Sequence, residues 1–141
     1  MACGDEVTTY LAASGLGLTA GSLGANGIFA GPFPPETTTN TNTCVIEYGG
    51  MEPVDAMGPS LAAPIFEQVR FQVLCRDSSD NLSTCRALAN SIYKKLRHYS
   101  GAMGGVNYAY VKALGPVFFL KFDENNRGYY ACNFEARKAE S

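Results

Sequence analysis

The chain is poor in positive charge, and this absence limits its possible partners. It carries 11 Lys and Arg against 13 Asp and Glu, so its formal net charge is −2. Proteins that bind nucleic acid through the phosphate backbone need a basic surface, because much of that affinity comes from neutralising phosphates. We therefore expect no sequence-specific nucleic-acid binding and no docking on an anionic membrane.

The chain also lacks a long apolar run and a basic amino terminus. A transmembrane helix needs about 18 or more consecutive apolar residues, and the sequence contains no such run. A secretory signal peptide begins with positive charge, whereas the first charged residues here are Asp5 and Glu6. These absences predict a protein that folds in a cytoplasm.

Metal-ligating residue types are scattered. The five cysteines are Cys3, Cys44, Cys75, Cys85 and Cys132. No two of them form the Cys-x-x-Cys pair of a zinc site, and the single histidine, His98, lies far from any such spacing. Three of them lie in strand-like runs, where a thiol behaves as a small buried hydrophobe. We expect reduced, structural cysteines, with a metal or disulfide role as the alternative.

Catalytic and nucleotide-binding motifs are missing as well. The glycine-rich stretch Gly15 to Gly31 lacks the Gly-x-x-x-x-Gly-Lys-Ser/Thr pattern and follows no clear strand. We interpret it as a winding connection whose glycines supply positive φ. His98 has no nucleophile or carboxylate partner placed by the sequence, so it is expected to be a solvated partner of the helix dipole, with a catalytic base as the alternative. We predict no enzymatic activity, no cofactor and no metal site.

The composition that remains is typical of one folded domain. Apolar residues make up 46% of the 141 residues and charged residues 17%, proportions that do not fit a disordered chain. Segments rich in Gly, Pro and Thr predict long loops over residues 15–43 and 51–64.

Helical periodicity predicts two helices. Residues 5–14 carry apolar side chains at helical spacing up to Gly15, and Ser83 to Tyr99 form a longer amphipathic helix that we expect to stop at Gly101. The expected buried stripe of the longer helix is Cys85, Leu88, Ala89, Ile92, Leu96 and Tyr99.

Alternation predicts strands on both sides of the long helix. Glu67 to Arg76 places apolar and polar side chains on opposite faces. Further strands are expected at residues 44–48, 106–114, 117–122 and 129–137, with the turn Asp123 to Gly128 joining the last two and Gly128 as its positive-φ residue. The predicted fold is α+β, a largely antiparallel sheet of about four to five strands packed on one main helix, plus a short N-terminal helix.

One helix cannot cover every aromatic side chain of such a sheet. Side chains alternate between the two faces of a strand, so Leu74, Phe118 and Phe122 must lie partly outside the helix-covered face. An exposed apolar patch marks a protein interface. The residues themselves therefore predict a subunit that associates with itself or with a partner.

Several short phrases in a fixed order resemble a known family. They are FQVLCR, RALANSIYKKL, FFLKFDENNRG and YYACNFEAR. Together they resemble the tail-terminator and minor capsid proteins of long-tailed bacteriophages. The likeness is firmest from Pro64 to Phe134. This chain has Asp77 where the family has Gly after the strand arginine, and its glycine-rich segment and TTTNTNT loop also depart from the shorter members.

The resemblance implies a structural virion protein of a single domain over residues 1–141. Family members form a ring, usually a hexamer, on the last ring of the tail tube, where they stop tube growth and offer the surface that the head connector binds. The implied partners are further copies of the chain, the tail tube protein and a connector or stopper protein, with DNA passing through the ring. The implied location is the neck-proximal end of the tail, after assembly in the host cytoplasm.

Two other functions remain open at this point. One is a neck or head-completion protein next to the portal, and the other is a small non-enzymatic binding domain. The candidate interface residues, chosen from loops and strand ends, are Asp55, Met57, Arg70, Arg76, Asp77, Asp80, Asp123, Glu124 and Arg127. Those at the hairpin tip could instead be simply solvated.

Overall fold

The computed structural model describes residues 3–35, 40–48, 54–55 and 65–139. The helices are α1 (Cys3–Ala12) and α2 (Leu82–Leu96), with a 3₁₀ turn at Ser79–Asn81. The strands are β1 (Thr19–Ala20), β2 (Gly27–Ala30), β3 (Asn42–Tyr48), β4 (Val54–Asp55), β5 (Ile65–Ser78), β6 (Gly101–Met103), β7 (Val106–Ala113), β8 (Phe118–Phe122) and β9 (Arg127–Ala139). The predicted α+β class is confirmed.

The two longest strands, β5 and β9, form the centre of the sheet. They pair antiparallel from Phe66 opposite Ala139 to Ser78 opposite Arg127. The strand order is β1-β2-β3-β5-β9-β7-β6, while β4 pairs with β5 and β8 pairs with β9. The described residues thus hold nine strands, more than the sequence predicted, although most neighbouring pairs are antiparallel as expected.

Two of the additional strands come from a segment that the sequence analysis predicted to be a loop. Part of the predicted loop 15–43 folds into β1 and β2, which pair parallel with each other, and β2 pairs parallel with β3. A Cβ at Gly27 would collide with the Ser22 carbonyl oxygen. The glycine therefore marks a close backbone approach at a strand end. The predicted loop 51–64 falls mostly outside the described residues, apart from the two residues of β4.

The core lies between the helices and one face of the sheet. In α2 the predicted stripe is confirmed, since Cys85, Ala89, Ile92 and Leu96 are buried and Leu88 and Tyr99 pack against the core. Beneath α2 the rings of Phe71 and Phe134 stack with centroids 5.2 Å apart. In α1, Val7 and Leu11 are fully buried, which confirms the short amphipathic helix. All five cysteines are buried and unpaired.

Two predicted glycine roles are wrong. The long helix ends at Leu96, and His98 takes a positive φ of 60° just beyond it, while Gly101 begins β6. In the hairpin between β8 and β9 the positive-φ residue is Asn126, at 59°, rather than Gly128. Asparagine and histidine adopt this conformation more readily than most residues. Gly128 instead allows a close approach of α2, because a Cβ there would displace the end of the Leu82 side chain.

Candidate assembly surface

One carboxylate accepts four hydrogen bonds in the turn between β8 and β9. Asp123 accepts hydrogen bonds from the backbone N–H of Asn125 at 2.9 Å and of Arg127 at 3.0 Å. Its other oxygen accepts from Arg127 Nε at 2.7 Å and from the Tyr129 hydroxyl at 2.9 Å. Partial burial opposes ionisation, but these donors outweigh it and lower the pKa of Asp123 to about 2. The hairpin tip is therefore a fixed structure, and Asp123 and Arg127 do more than face solvent.

This turn supports a strand with exposed apolar side chains. All five residues of β8 are exposed. Its aromatic rings contact one another and the neighbouring strand, since Phe119 lies 5.0 Å from Phe122 and 5.5 Å from Tyr130 between ring centroids. The large apolar side chains here, which we call the β8 edge, are Leu114, Phe118, Phe119, Leu120 and Phe122, with exposed fractions of 37% to 52%.

The β8 edge is also a strand edge. Within the described part of the chain, β8 pairs with β9 on one side and has no strand partner on the other. An apolar edge strand offers both unpaired backbone groups and apolar side chains, which favours association with another chain. Of the three residues predicted to lie outside the helix-covered face, Phe118 and Phe122 belong to this exposed patch. Leu74 does not, because it is half-buried in β5.

A smaller exposed set lies at the opposite edge of the sheet. Both residues of β1, Thr19 and Ala20, are exposed, and Leu23 in the following turn is 45% exposed. We call these three residues the β1 edge. β1 ends the strand order on one side, whereas β8 lies outside that order as a second partner of β9, so the two edges are different surfaces of one molecule.

Arg76 and Asp77 are buried rather than presented to solvent. They are 5% and 2% exposed, and β5 runs past the predicted strand end at Arg76, so that it also includes Asp77, which was expected in a loop. The Arg76 guanidinium lies 4.1 Å from the ring centroid of Phe33, while Asp77 accepts a hydrogen bond from the Ser78 N–H at 2.8 Å. They stabilise the end of β5.

The remaining candidates lie in different segments of the chain. Arg70 is 3.5 Å from the Glu135 carboxylate with its side chain 39% exposed, and Asp80 and Glu124 are exposed. Asp55 belongs to β4, paired with Ile65, and Met57 lies outside the described residues. Of the predicted set, the structure groups the residues of the hairpin tip, Asp123, Glu124 and Arg127. It also places the segment that holds Asp77 and Asp80 beside them, because Ser79 and Asn126 are hydrogen-bonded to each other.

A buried polar cluster was missed by the sequence analysis. Glu6 in α1 receives a hydrogen bond from the Tyr108 hydroxyl at 2.7 Å and pairs with the Lys138 ammonium at 2.8 Å. The partners lie 102 and 132 positions away in the sequence. No local sequence pattern predicts a pairing over such distances. The sequence showed only that Glu6 belongs to the predicted N-terminal helix, next to Val7.

The described residues offer no arrangement for metal chemistry. They contain no group of three or more His, Cys, Asp and Glu side chains that could hold a metal ion. No helix among them is both long and apolar enough to cross a bilayer.

A cavity of about 310 Å³ lies beside the start of α1, and its lining includes Gly4 and Glu47. These two residues already bond to each other, since the Gly4 N–H donates to Glu47 Oε1 at 2.5 Å.

Comparison with known proteins identifies the family. A chain in the virion of a native gene transfer agent particle has a similar fold, with a TM-score of 0.66, 15% identity, and coverage of 99% of this chain and 96% of that one. A second solved structure, which carries no functional name, has a TM-score of 0.51 at 10% identity, with coverage of 97% and 89%. A search of curated proteins finds no match. The sequence model described as bacteriophage tail terminator protein matches residues 10–140. The chain therefore belongs to the bacteriophage tail terminator family, and it is a structural protein of the phage tail and virion.

Proposed function

We propose that this protein caps the phage tail tube as a ring, stops tube elongation and provides the surface at which the head joins the tail. The observation that carries the proposal is the exposed β8 edge, mounted on a hairpin that Asp123 holds in place, in a chain of the tail terminator family. A fixed apolar edge suits a permanent contact within an assembly.

The ring is a homohexamer in this proposal. A closed ring requires each subunit to use two different patches, one of which meets the other patch on the next subunit. The β8 edge and the β1 edge are two different exposed surfaces that are candidates for these patches. The ring acts through binding alone, without catalysis or cofactor, and lets DNA pass through its centre without reading the sequence.

The tube protein and the head connector or stopper are the further partners. A terminator binds the tail tube with one face of the ring. Its other face binds the neck and does not bind further tube subunits. Arg70, Asp80 and Glu124 are candidates for these contacts because their side chains are exposed or half-exposed charges. Such groups set orientation and reject wrong partners more than they add affinity. The loop 51–64, which includes Asp55 and Met57, is a further candidate.

Deletion of the gene in the producing phage tests the proposal. Without a terminator, tube growth has no stop, so electron microscopy of the lysate should show overlong tails of variable length together with tailless heads. Supplying the wild-type gene from a plasmid is the control and should restore uniform tails joined to heads. Tails of normal length that fail to join heads would contradict the proposal and favour a neck or head-completion protein next to the portal.

A further inference from the structure

We infer that the face of the sheet opposite the two helices binds the phosphate backbone of double-stranded DNA without reading its sequence. The proposed ring lets DNA pass through its centre, and this face is the surface of each subunit that lines the passage. Its place in the ring rests on the proposed function, whereas its affinity for DNA follows from the charges of the folded chain.

Strand pairing decides which side chains share this face. The helices pack on the face that holds Phe71, and side chains alternate along a strand, so Arg70 lies on the opposite face. Direct pairing places Glu135 beside Arg70 and Lys112 beside Glu135, and Arg137 follows two positions later on β9. Because adjacent strands lie about 4.8 Å apart, the backbones of the three cations lie within about 10 Å of one another.

The net charge of −2 conceals a local excess of positive charge. The same pairing places Arg76, Lys121 and Arg127 further along this face, which therefore holds six of the chain's 11 Lys and Arg residues. Among the described strand residues of this face, one carboxylate, Glu135, opposes them, and Asp123 in the adjoining turn bonds Arg127. A surface with clustered cations attracts a phosphate backbone even when the whole chain is acidic.

The cations of this face differ in their accessibility. Lys112 is exposed, the Arg70 side chain is 39% exposed, and Arg137 is half-buried with its guanidinium 5.7 Å from the ring centroid of Tyr110. Arg76 is only 5% exposed and cannot reach a ligand. We call Arg70, Lys112 and Arg137 the cationic patch. The two guanidinium groups can each donate to two oxygens of one phosphate, and the lysine supplies a point charge.

The side chains around the cationic patch favour DNA over an acidic protein as its ligand. They are neutral and already bonded to one another, since Gln72 Nε2 donates to Asn133 at 3.0 Å and Gln68 Nε2 donates to the Tyr110 hydroxyl at 3.1 Å. A protein interface has an apolar centre, whereas an interface with DNA is more polar and more positively charged. The patch has the second composition.

The salt dependence of DNA binding tests this surface. Fluorescence anisotropy measures the binding constant of the purified protein for a short labelled duplex at several low salt concentrations. Each cation that contacts a phosphate contributes about −0.9 to the slope of the logarithm of the binding constant against the logarithm of the salt concentration, so the three cations predict a slope of about −3. Lys112→Gln removes one contact at an exposed position and should bring the slope to about −2.

The matched control is Lys95→Gln. Lys95 is an equally exposed lysine in the last turn of α2, where it offsets the negative end of the helix dipole, and its removal should leave the slope unchanged. Glu135→Gln has the opposite expected effect, because it removes the carboxylate between Arg70 and Lys112. It should tighten binding about two- to fivefold at low salt. Circular dichroism should show the wild-type fold for each variant.

Three results would overturn the inference: no binding at low salt, an equal change of slope in Lys112→Gln and Lys95→Gln, or an unchanged affinity in Glu135→Gln. Poly-glutamate that displaces the labelled duplex as effectively as unlabelled duplex of equal charge would also overturn it, in favour of an acidic protein partner. The terminator function is tested separately. Overlong tails on gene deletion without DNA binding by the purified protein would retain that function and reject this surface, whereas the expected slopes with tails of normal length would retain this surface and reject the terminator function.

Discussion

Glu6 and Lys138 form an ion pair of 2.8 Å that is sealed from solvent, with side chains 0% and 2% exposed. The pair joins the first helix to the last strand, and the Tyr108 hydroxyl donates to the same Glu6 oxygen. A charge in such a place is stable only while its partner is present, because desolvation costs each ion several kcal/mol.

Removing one member of this pair should destabilise the protein strongly. We predict that Lys138→Met lowers the free energy of unfolding by about 3 to 5 kcal/mol, since the Glu6 carboxylate is left buried without its cation. Urea denaturation followed by circular dichroism measures the change. The double variant Lys138→Met with Glu6→Gln removes both charges and should recover much of the loss; a single variant as stable as wild type would contradict the assignment.

The packing of α2 makes a second prediction. Ile92 is fully buried, so Ile92→Asp places an unpaired carboxylate in the core at a cost of several kcal/mol and should unfold the domain. The matched control is Lys95→Asp, an exposed position on the same helix, which should change stability by less than about 1 kcal/mol. A soluble, cooperatively folded Ile92→Asp protein is the result that would reject this packing.

The lowered pKa of Asp123 predicts that the stability of the fold depends on pH. Its pKa in the folded protein is about 2 against an ordinary 3.8, so the ionised side chain stabilises the fold above about pH 4, and this contribution is lost as the pH falls from there towards 2. With its partial exposure taken into account, the contribution is about 1 to 2 kcal/mol. We predict that Asp123→Asn is less stable than wild type by this amount at pH 7 and that the difference disappears near pH 2.

Denaturation curves at several pH values measure this difference. The matched control is Glu124→Gln, because Glu124 is the exposed neighbour in the same turn and should leave the pH profile unchanged. An unchanged profile for Asp123→Asn would show that the carboxylate does not hold the turn.

The cysteines should be inert in the folded protein. Burial raises the pKa of the Cys3 and Cys85 thiols to about 11 and that of Cys44 and Cys132 to about 12, so almost no thiolate is present at pH 8. We predict that a thiol-specific reagent labels none of the five until denaturant is added. Native mass spectrometry should show reduced thiols and no stoichiometric zinc; a Cys75–Cys85 bridge or one bound zinc per chain would contradict this.

Patterns that depend on a few neighbouring residues determined much of the fold. The stripe of α2 and the alternation of β5 follow from the spacing of apolar residues, because a residue's face in a helix or strand depends only on its position along that element. The order of these elements, together with short phrases such as FQVLCR, was sufficient to indicate the phage tail family that the comparison over residues 10–140 established.

Contacts between distant parts of the chain were decided only by the tertiary structure. β1 and β2 are strands because they pair with each other and with β3; their own glycine-rich sequence has no alternating pattern. The partners of Glu6 and the register between paired strands likewise depend on which elements lie side by side. Sequence spacing encodes the face of one element, whereas strand register and buried charge pairs arise from the packing of all elements together.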